Sequence, residues 1–310
     1  MTVSLRILLG DTLFRIALLS IATLVLFVSV GIMSFLFKEG LPALQVFGPQ
    51  FIISTDWNPV TDQYGAGVML YGTLVTACIA VGLAVPFSLL IVFFLTAVAP
   101  SALVAPISLA VQLLAAVPSV VYGAWGFFVV APVMASTVSP FMAETFGSWP
   151  ILGSLFSGTP RGLSLLTASL VLSLMVLPSI TAMVLRAIQA VPAMLKEASY
   201  SLGSTSYEVF FKILVPYARR AIVGAALLGL GRALGEAMAV SFVVGNATRI
   251  SASLLAPGST LAATIANEFH EAAVGSVKFH SLVELGFILF LISSLVLILS
   301  RVLVTYSEKQ

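Results

Sequence analysis

The chain has few charged residues for its length, and this absence excludes most soluble folds. Asp, Glu, Lys and Arg make up 8% of its 310 residues, while apolar residues make up 60%. Ordinary soluble domains carry about 25% charged residues, and a soluble chain of this size needs polar side chains over its surface. The composition therefore indicates a protein embedded in a membrane.

Cysteine and histidine are also scarce. The single cysteine, Cys78, excludes an intramolecular disulfide. His270 and Glu271 begin like a zinc-protease motif, but Val274 stands where H-E-x-x-H requires its second histidine. With one cysteine and two histidines in the whole chain, we expect no metal site.

Motifs of nucleotide and covalent chemistry are missing as well. No lysine follows a glycine, so the chain lacks the G-K-[ST] loop that binds phosphates in P-loop ATPases. It also lacks the G-x-S-x-G nucleophile elbow. The glycines near residue 231 have the spacing G-x-G-x-x-x-G, which is not the dinucleotide fingerprint. We therefore expect a chain that is not an enzyme, has no catalytic residues and binds no cofactor itself.

Long apolar runs are abundant. A helix needs about 20 residues to cross about 30 Å of hydrocarbon. Six runs satisfy this length: residues 12–37, 68–97, 104–131, 163–186, 219–245 and 279–304. The first run ends without a small-residue cleavage site, so we interpret it as a retained helix and not as a signal peptide. The sequence predicts an all-α polytopic membrane protein with six transmembrane helices.

The basic residues predict the orientation, because cytoplasmic loops are enriched in Lys and Arg. With the N-terminus in the cytoplasm, nine of the 14 basic residues lie on the cytoplasmic side, four lie outside, and Arg232 lies within a span. An even number of spans then places both termini in the cytoplasm. Three outer segments follow, at residues 38–67, 132–162 and 246–278.

A polar segment, residues 192–216, interrupts the apolar pattern. Residues 193–202 predict a short helix, and Gly203 suits the left-handed position just past a helix end. Residues 205–208 have the S/T-x-x-E form of a capping box, which starts a second helix. Pro216 predicts an interruption before the next span. The segment is therefore predicted to form two short helices joined by a glycine turn.

Two interpretations of this segment compete. A plain interfacial amphipathic helix accounts for the apolar face of residues 207–214. It does not account for a helix containing Glu197, a break at Gly203 and a capped second helix at this spacing. Such a protruding unit can insert into a groove on a soluble partner. We favour this second interpretation, in which the segment couples the membrane part to a partner.

Charged residues inside the predicted spans form a second candidate site. Arg232 and Glu236 are four residues apart, so they are predicted to share one helix face. Charges at membrane depth normally face a bundle interior or an aqueous path, and a guanidinium donates parallel hydrogen bonds to a tetrahedral oxyanion. Two roles stay open: a substrate path, or a structural ion pair that holds the helices. Glu284 in the sixth span has the same two possible roles.

Glycine and proline supply hinge candidates near these charges. Gly231 and Gly235 form G-x-x-x-G, a spacing that permits close helix approach. Pro118 removes a backbone hydrogen bond and is expected to kink the third span, either beside the path or as a passive kink.

Several motifs resemble those of a known family. The run Glu197-Ala198-Ser199, Gly203 after three residues, and Ile213-Leu214-Val215-Pro216 after nine more resembles the E-A-A coupling loop of bacterial ABC importer permeases. Ser199 replaces its second alanine and Val215 its leucine. Residues 114–123 and 230–240 resemble the A-A-x-P-S-V-V-Y-G and L-G-R-A-L-G-E-T-M-A-V stretches of PstC-type permeases of the phosphate ABC importer, with Ala237 for Thr. Residues 267–269 resemble the same family's A-N-E-F element.

The resemblance implies a type I ABC importer permease fold in a bacterial inner membrane and inorganic phosphate as substrate. It implies a second, PstA-like permease, a PstB-like ATPase dimer that binds ATP and Mg, and an external PstS-like binding protein. It implies a coupling role for Glu197, Ala198, Ser199, Gly203, Ile213 and Pro216. Arg232 and Glu236 fall where that family carries intramembrane charges.

The match covers residues 68–305, which we predict to be the permease core. Residues 1–67 are predicted to be an N-terminal helix with an outer loop, and residues 306–310 a cytoplasmic tail. Two rival functions are a permease for another oxyanion, such as sulfate or molybdate, and an intramembrane enzyme using Arg232, Glu236 and Glu284. The third-span signature argues against the first, and the second gives the coupling segment no role.

Overall fold

The computed structural model describes residues 2–150, 152–157 and 161–308, with side chains described for 14–150, 153–157 and 161–302. Within these ranges every regular element is a helix, and the extended pairs are limited to two isolated bridges. The helices are α1 (Thr2–Phe47), α2 (Gly67–Phe93), α3 (Ser101–Ala116), α4 (Ser119–Phe146), α5 (Leu152–Phe156), α6 (Leu165–Gln189), α7 (Ala193–Ser201), α8 (Ser206–Leu234), α9 (Met238–Val243), α10 (Leu261–Glu268) and α11 (Val277–Glu308).

Six of the described helices are long and apolar enough to cross a membrane. They are α1, α2, α4, α6, α8 and α11. The predicted all-α class and the predicted number of spans are therefore confirmed. The bounds of the third and fifth spans, however, were wrong.

The predicted third span, 104–131, is broken in two. Val117 is extended (φ −66°, ψ 127°), because the ring of Pro118 clashes with a helical residue before it. The break leaves α3 with 16 residues, too short to cross by itself. The crossing helix is α4, which continues through two wide π turns into the predicted outer segment.

The predicted fifth span, 219–245, starts earlier and ends earlier. Helix α8 begins at Ser206, inside the predicted coupling segment, and ends at Leu234. Pro216 does not interrupt it, contrary to prediction. A π turn at Val209–Leu214 comes first, so Pro216 falls in the first turn of the following α-helical stretch, where a missing N–H is tolerated. The second predicted short helix is therefore the start of a spanning helix.

The core of the bundle lies where α2, α6 and α8 meet. On α2, Ala77, Ala80, Ala84 and Ser88 recur at helical spacing and are fully buried. Their small side chains let the backbone of α6 approach closely, as in other membrane bundles. Helix α6 is accordingly the most enclosed of the six crossing helices. In contrast, α1 packs mainly on α11, and its apolar side chains from Phe14 to Phe37 are largely exposed.

A second cluster closes the end of the bundle opposite α7. Trp57 of the segment after α1 donates from Nε1 to Glu268 Oε1 (3.0 Å), and Lys278 Nζ pairs with Glu268 Oε2 (3.0 Å). Tyr64 stacks edge-on against Trp57, and its burial beside Asp62 raises the pKa of the phenol to about 12. These contacts tie the first outer segment to α10 and α11. Glu268 is thus a half-buried link between these elements.

Candidate functional site

The helix carrying Arg232 ends two residues after it, and this changes the predicted site. Gly235 and Glu236 lie outside α8, and the chain restarts as α9 at Met238. Among the described residues no ion pair joins Arg232 to Glu236, so the predicted pair on one helix face is wrong. The physical reason is the helix end between them, which removes the i,i+4 geometry.

Each charge has a separate contact. The Glu236 carboxylate accepts a hydrogen bond from the backbone N–H of Ala239 (3.1 Å), so it caps α9. Arg232 Nη1 donates to the hydroxyl of Ser179 on α6 (3.2 Å). The structure therefore joins Arg232 of α8 to Ser179 of α6, and Ser179 was missing from the predicted site.

Arg232 lies deep in the membrane-crossing part of α8. It is twelve residues beyond Arg220, about 18 Å at 1.5 Å per residue, against a hydrocarbon thickness of about 30 Å. Its side chain is nevertheless exposed in the isolated chain. A charge at this depth facing lipid costs about 2.5–3.5 kcal/mol or more. The surface around Arg232 is therefore one that faces water or another protein chain.

The second helix break lies beside the first. Helix α4 starts directly after Pro118 and packs on α9, which starts two residues after Glu236. A Cβ on Gly123 would lie 2.8 Å from Phe242 Cδ2, 3.0 Å from Ala239 Cα and 3.2 Å from the Met238 carbonyl oxygen, so a side chain here would push the two helices apart.

The signature at residues 114–123 is explained by this arrangement. Pro118 breaks the helix, and Gly123 permits the crossing with α9. Tyr122 donates its hydroxyl to the Leu114 carbonyl (2.9 Å), satisfying an acceptor freed at the end of α3. Membrane interiors tolerate such irregular backbone only where protein or trapped water satisfies it. Pro118 is therefore a helix break with a repaired acceptor and not a simple kink.

The remaining predicted residues of this site are dispersed. A Cβ on Gly231 would meet Leu297 of α11 at 3.2 Å, but Gly235 has only backbone of its own helix near 4 Å. The G-x-x-x-G pair therefore mediates one close contact in this chain. Glu284 is 2% exposed and lies against Gly40, in the contact between α11 and α1. The structure does not bring it to Arg232.

The glycine turn and the capping box of the coupling segment have the local geometry that was predicted. Gly203 follows α7 with φ +85°, a left-handed value. The Thr205 hydroxyl accepts from Glu208 N–H (3.3 Å), and the Glu208 carboxylate accepts from Thr205 N–H (3.1 Å), which completes the capping box. Lys212 pairs with Glu208 at 2.8 Å.

One face of α7 is fully open. Met194, Glu197, Ala198, Ser201 and Leu202 recur at i, i+3, i+4, i+7 and i+8, and all are exposed. Met194 is 78% and Leu202 87% exposed, which is unusual for large apolar side chains in a polar segment. We call these five residues the α7 stripe. Ser199 faces the opposite way, is 7% exposed and bonds to the Leu195 carbonyl (2.6 Å).

An aromatic cluster fixes this segment to the bundle. Phe93 at the end of α2 lies 5.2 Å from Phe210 and 5.4 Å from Phe211, ring centre to ring centre, and Tyr207 packs on Phe211 at 4.7 Å. Sequence reasoning missed Phe93, since nothing in the pattern of α2 indicates that it meets α8. Of the predicted coupling residues, Ile213 is half-buried here and Pro216 is exposed.

The geometry first defines a class, an all-helical multi-pass membrane protein with two helix breaks at membrane depth. Residues 70–310 match the family described as binding-protein-dependent transport system inner membrane component. The chain is 47% identical to the phosphate transport system permease protein PstC of Xylella fastidiosa over 95% of this chain and 90% of the relative.

Other relatives agree. The PstC proteins of Mesorhizobium japonicum (47% identical, 96% of this chain and 90% of the relative) and Pasteurella multocida (43%, 97% and 93%) match equally fully. An inward-facing MetNI methionine ABC transporter structure matches 75% of this chain and 93% of its own with a TM-score of 0.49 and 20% identity, too weak a likeness to support an inference. The chain belongs to the binding-protein-dependent transport permeases and, among them, to the PstC family.

Proposed function

We propose that this chain is a permease subunit of an ATP-driven importer and forms, with a second permease, the path for inorganic phosphate across the bacterial inner membrane. The observation that carries the proposal is the 43–47% identity to phosphate transport permeases over 95–97% of the chain. The expected partners are a PstA-like permease, a PstB-like ATPase dimer holding ATP and Mg, and a PstS-like external binding protein.

Arg232 is the residue we assign to the path. It is exposed at membrane depth, and its described hydrogen bond is to the neutral Ser179 hydroxyl (3.2 Å). The guanidinium therefore keeps its positive charge uncompensated by a bonded carboxylate. When a second permease packs against this surface, the Arg232 guanidinium would be enclosed between the two chains. It would attract an oxyanion there, because a guanidinium donates parallel hydrogen bonds to phosphate oxygens.

The α7 stripe is the surface we assign to the ATPase partner. Its apolar ends, Met194 and Leu202, are desolvated favourably in a groove, while Glu197 supplies a charge that specifies the partner. Because this chain has no phosphate-binding loop of its own, the energy of ATP hydrolysis has to arrive through such a contact.

Helix α8 supplies the mechanical link between these two surfaces. It runs without interruption for 29 residues, about 43 Å at 1.5 Å per residue, from the capping box beside α7 to the turn that carries Arg232. The aromatic cluster ties its first turns to the end of α2. We infer that a push on α7 is transmitted as tilting of α8 with α2, which moves Arg232 between inward- and outward-facing positions.

Radiolabelled phosphate uptake tests the path. Cells lacking their own importer would express this chain with its partner subunits, at matched membrane levels, as wild type, Arg232→Ala, and the swap Arg232→Glu with Glu236→Arg. We expect Arg232→Ala to lose at least about tenfold of the uptake rate, the usual effect of removing a charged contact worth about 1.4 kcal/mol or more. Arg219→Ala, thirteen residues earlier on the same helix, is the control.

The swap separates the two roles left open by the sequence. We expect no rescue, because the two residues do not touch each other. Rescue would instead support a structural pair in a conformation other than this one. A wild type that imports sulfate or molybdate and no phosphate would favour the permease for another oxyanion. Chemical turnover by the chain without an ATPase partner would favour the intramembrane enzyme.

The coupling assignment has its own test. Leu202→Asp should prevent co-purification of the ATPase subunits and abolish uptake while leaving the chain folded, since Leu202 is 87% exposed. Val274→Asp is the matched control, because Val274 is 88% exposed at the opposite end of the bundle. Normal ATPase co-purification and uptake with Leu202→Asp would overturn the assignment.

A further inference from the structure

A polar cavity opens at the end of α6 opposite α7, and the proposed function does not yet use it. Its volume is about 340 Å³, near the lower end of the range for small-ligand sites, about 300–1,000 Å³. It lies between the chain leading into α6 and the loop after α9. Arg161 and Arg249 line it, and no carboxylate does among the described residues.

The floor of this cavity is held by hydrogen bonds and is not a loose loop. Ser253 is 6% exposed and donates its hydroxyl to the Ser157 carbonyl (2.6 Å). The first turn of α6 is clamped to the same loop, since Leu165 N–H donates to the Ala256 carbonyl (3.1 Å) and Leu166 N–H to the Leu254 carbonyl (2.9 Å). The lining residues are therefore positioned before any ligand arrives.

The donors of the cavity are available to a ligand. Neither Arg161 nor Arg249 forms a hydrogen bond or an ion pair with another residue in the described part of the chain. The Ser251 hydroxyl, also in the lining, accepts from Ser253 N–H (3.2 Å), which leaves its own proton for an acceptor. Two guanidiniums and a hydroxyl in a concave site form a set of donors that matches a tetrahedral oxyanion.

We propose that this cavity receives inorganic phosphate at the external face before the ion moves to Arg232. The inference rests on the proposed function, whose substrate it shares. Helix α9, six residues long, joins the two positions: the break holding Glu236 precedes it, and the loop holding Arg249 follows it. An oxyanion would thus pass from two exposed arginines to a single deep one along one short helix.

The concave shape favours a small ion over an acidic protein partner. An interaction patch for a protein places its charges on a wide, accessible surface, whereas these arginines converge on a pocket with a buried serine floor. A purely electrostatic docking patch is one outcome of the test below.

The labelling rate of a thiol introduced into the cavity reports anion binding there without requiring transport. Ser157→Cys, in a Cys78→Ser background, places a thiol on the lining of the cavity in the full importer in spheroplasts. Its labelling rates with an anionic and a cationic methanethiosulfonate reagent are compared, with and without inorganic phosphate. Val274→Cys, at an 88% exposed position of the same end, is the control thiol.

We expect the anionic reagent to label Ser157→Cys faster than the cationic one, and phosphate to slow that labelling. Adding Arg161→Gln and Arg249→Gln should reduce the anionic preference by about tenfold, the lower end of focusing by a charged cleft, and abolish protection by phosphate. Val274→Cys should show neither effect.

Two results would overturn the proposal. Equal labelling by the two reagents would mean that the arginines create no anion site. Anionic preference without phosphate protection would mean a docking patch for an acidic partner. Phosphate uptake distinguishes this failure from that of the proposed function. Wild-type uptake without protection of the Ser157→Cys thiol by phosphate would overturn only the cavity proposal. Protection without uptake would overturn only the transport assignment.

Discussion

Glycine follows both α7 and α8, but the two helices end for different reasons. After α7, Gly203 adopts a left-handed φ of +85°, and the chain restarts with a complete capping box at Thr205. After α8, Gly235 has φ −85° and ψ 0°, which any residue adopts, and the chain restarts with one capping carboxylate from Glu236.

The difference follows from the surroundings of each break. The first lies in a polar segment where water satisfies whatever the caps leave open, so neighbouring residues are enough to define it. The second lies at membrane depth, where each freed N–H and C=O needs a protein partner. At the second break, the Glu236 carboxylate is such a partner, and packing against α4 holds the break in place. Local chemistry makes the first break, and tertiary contact maintains the second.

The largest effect is expected from separating the two broken helices. Gly123→Leu puts a side chain where Ala239 and the Met238 carbonyl already lie, and overpacking costs about 1–3 kcal/mol or more. We expect a lower thermal midpoint in detergent and less protein in the membrane. Gly82→Leu is the control, because nothing lies within 4 Å of a Cβ there. Equal midpoints for the two variants would show that the crossing does not hold the break.

Removing the cap of α9 ranks second. Glu236→Ala leaves Ala239 N–H without its acceptor, a loss of about 1–2 kcal/mol, whereas Glu236→Gln keeps an acceptor oxygen in place. We expect the alanine variant to unfold at lower denaturant and the glutamine variant to remain near wild type. Equal destabilisation by both substitutions would point to the charge of Glu236 and not to its capping bond.

A smaller, local effect is expected at the first break. Gly203→Ala forces a Cβ into left-handed backbone at a cost of about 1–2 kcal/mol, while Gly203→Asn tolerates that conformation better. Hydrogen exchange of α7 peptides should speed up by about fivefold or more for alanine and less for asparagine. Unchanged exchange in the alanine variant would contradict a strained turn at this position.

The smallest effect is expected at the second glycine. Gly235→Ala meets nothing closer than 3.9 Å and needs no unusual φ, so its stability should change by less than about 0.5 kcal/mol. The thermal midpoint of the purified chain is the measurement. A loss comparable to that of Gly203→Ala would remove the distinction between the two breaks.

Sequence reasoning succeeded where neighbours in the chain decide the structure. The Thr205 capping box and the turn at Gly203 depend on residues within four positions. The number of spans depends on apolar composition, which membrane insertion reads directly. It failed at the bounds of the third and fifth spans, because hydropathy continues unchanged through Val117 and Gly235 while the backbone does not. The interruption predicted at Pro216 was wrong for the opposite reason. The local sequence predicts a break there, but a π turn before Pro216 accommodates its ring.

The sequence by itself determined that this protein lies in a membrane and that it crosses six times. It also determined that a polar segment with a glycine turn and a capping box follows the fourth crossing helix. These properties follow from short-range hydrogen bonding and from total apolar content. Only the tertiary structure decided that Arg232 contacts Ser179 and not Glu236, that α4 and α9 stack through Gly123, and that Arg161 and Arg249 line one cavity. Each of these contacts joins residues far apart in the chain, and their meeting depends on how whole helices pack.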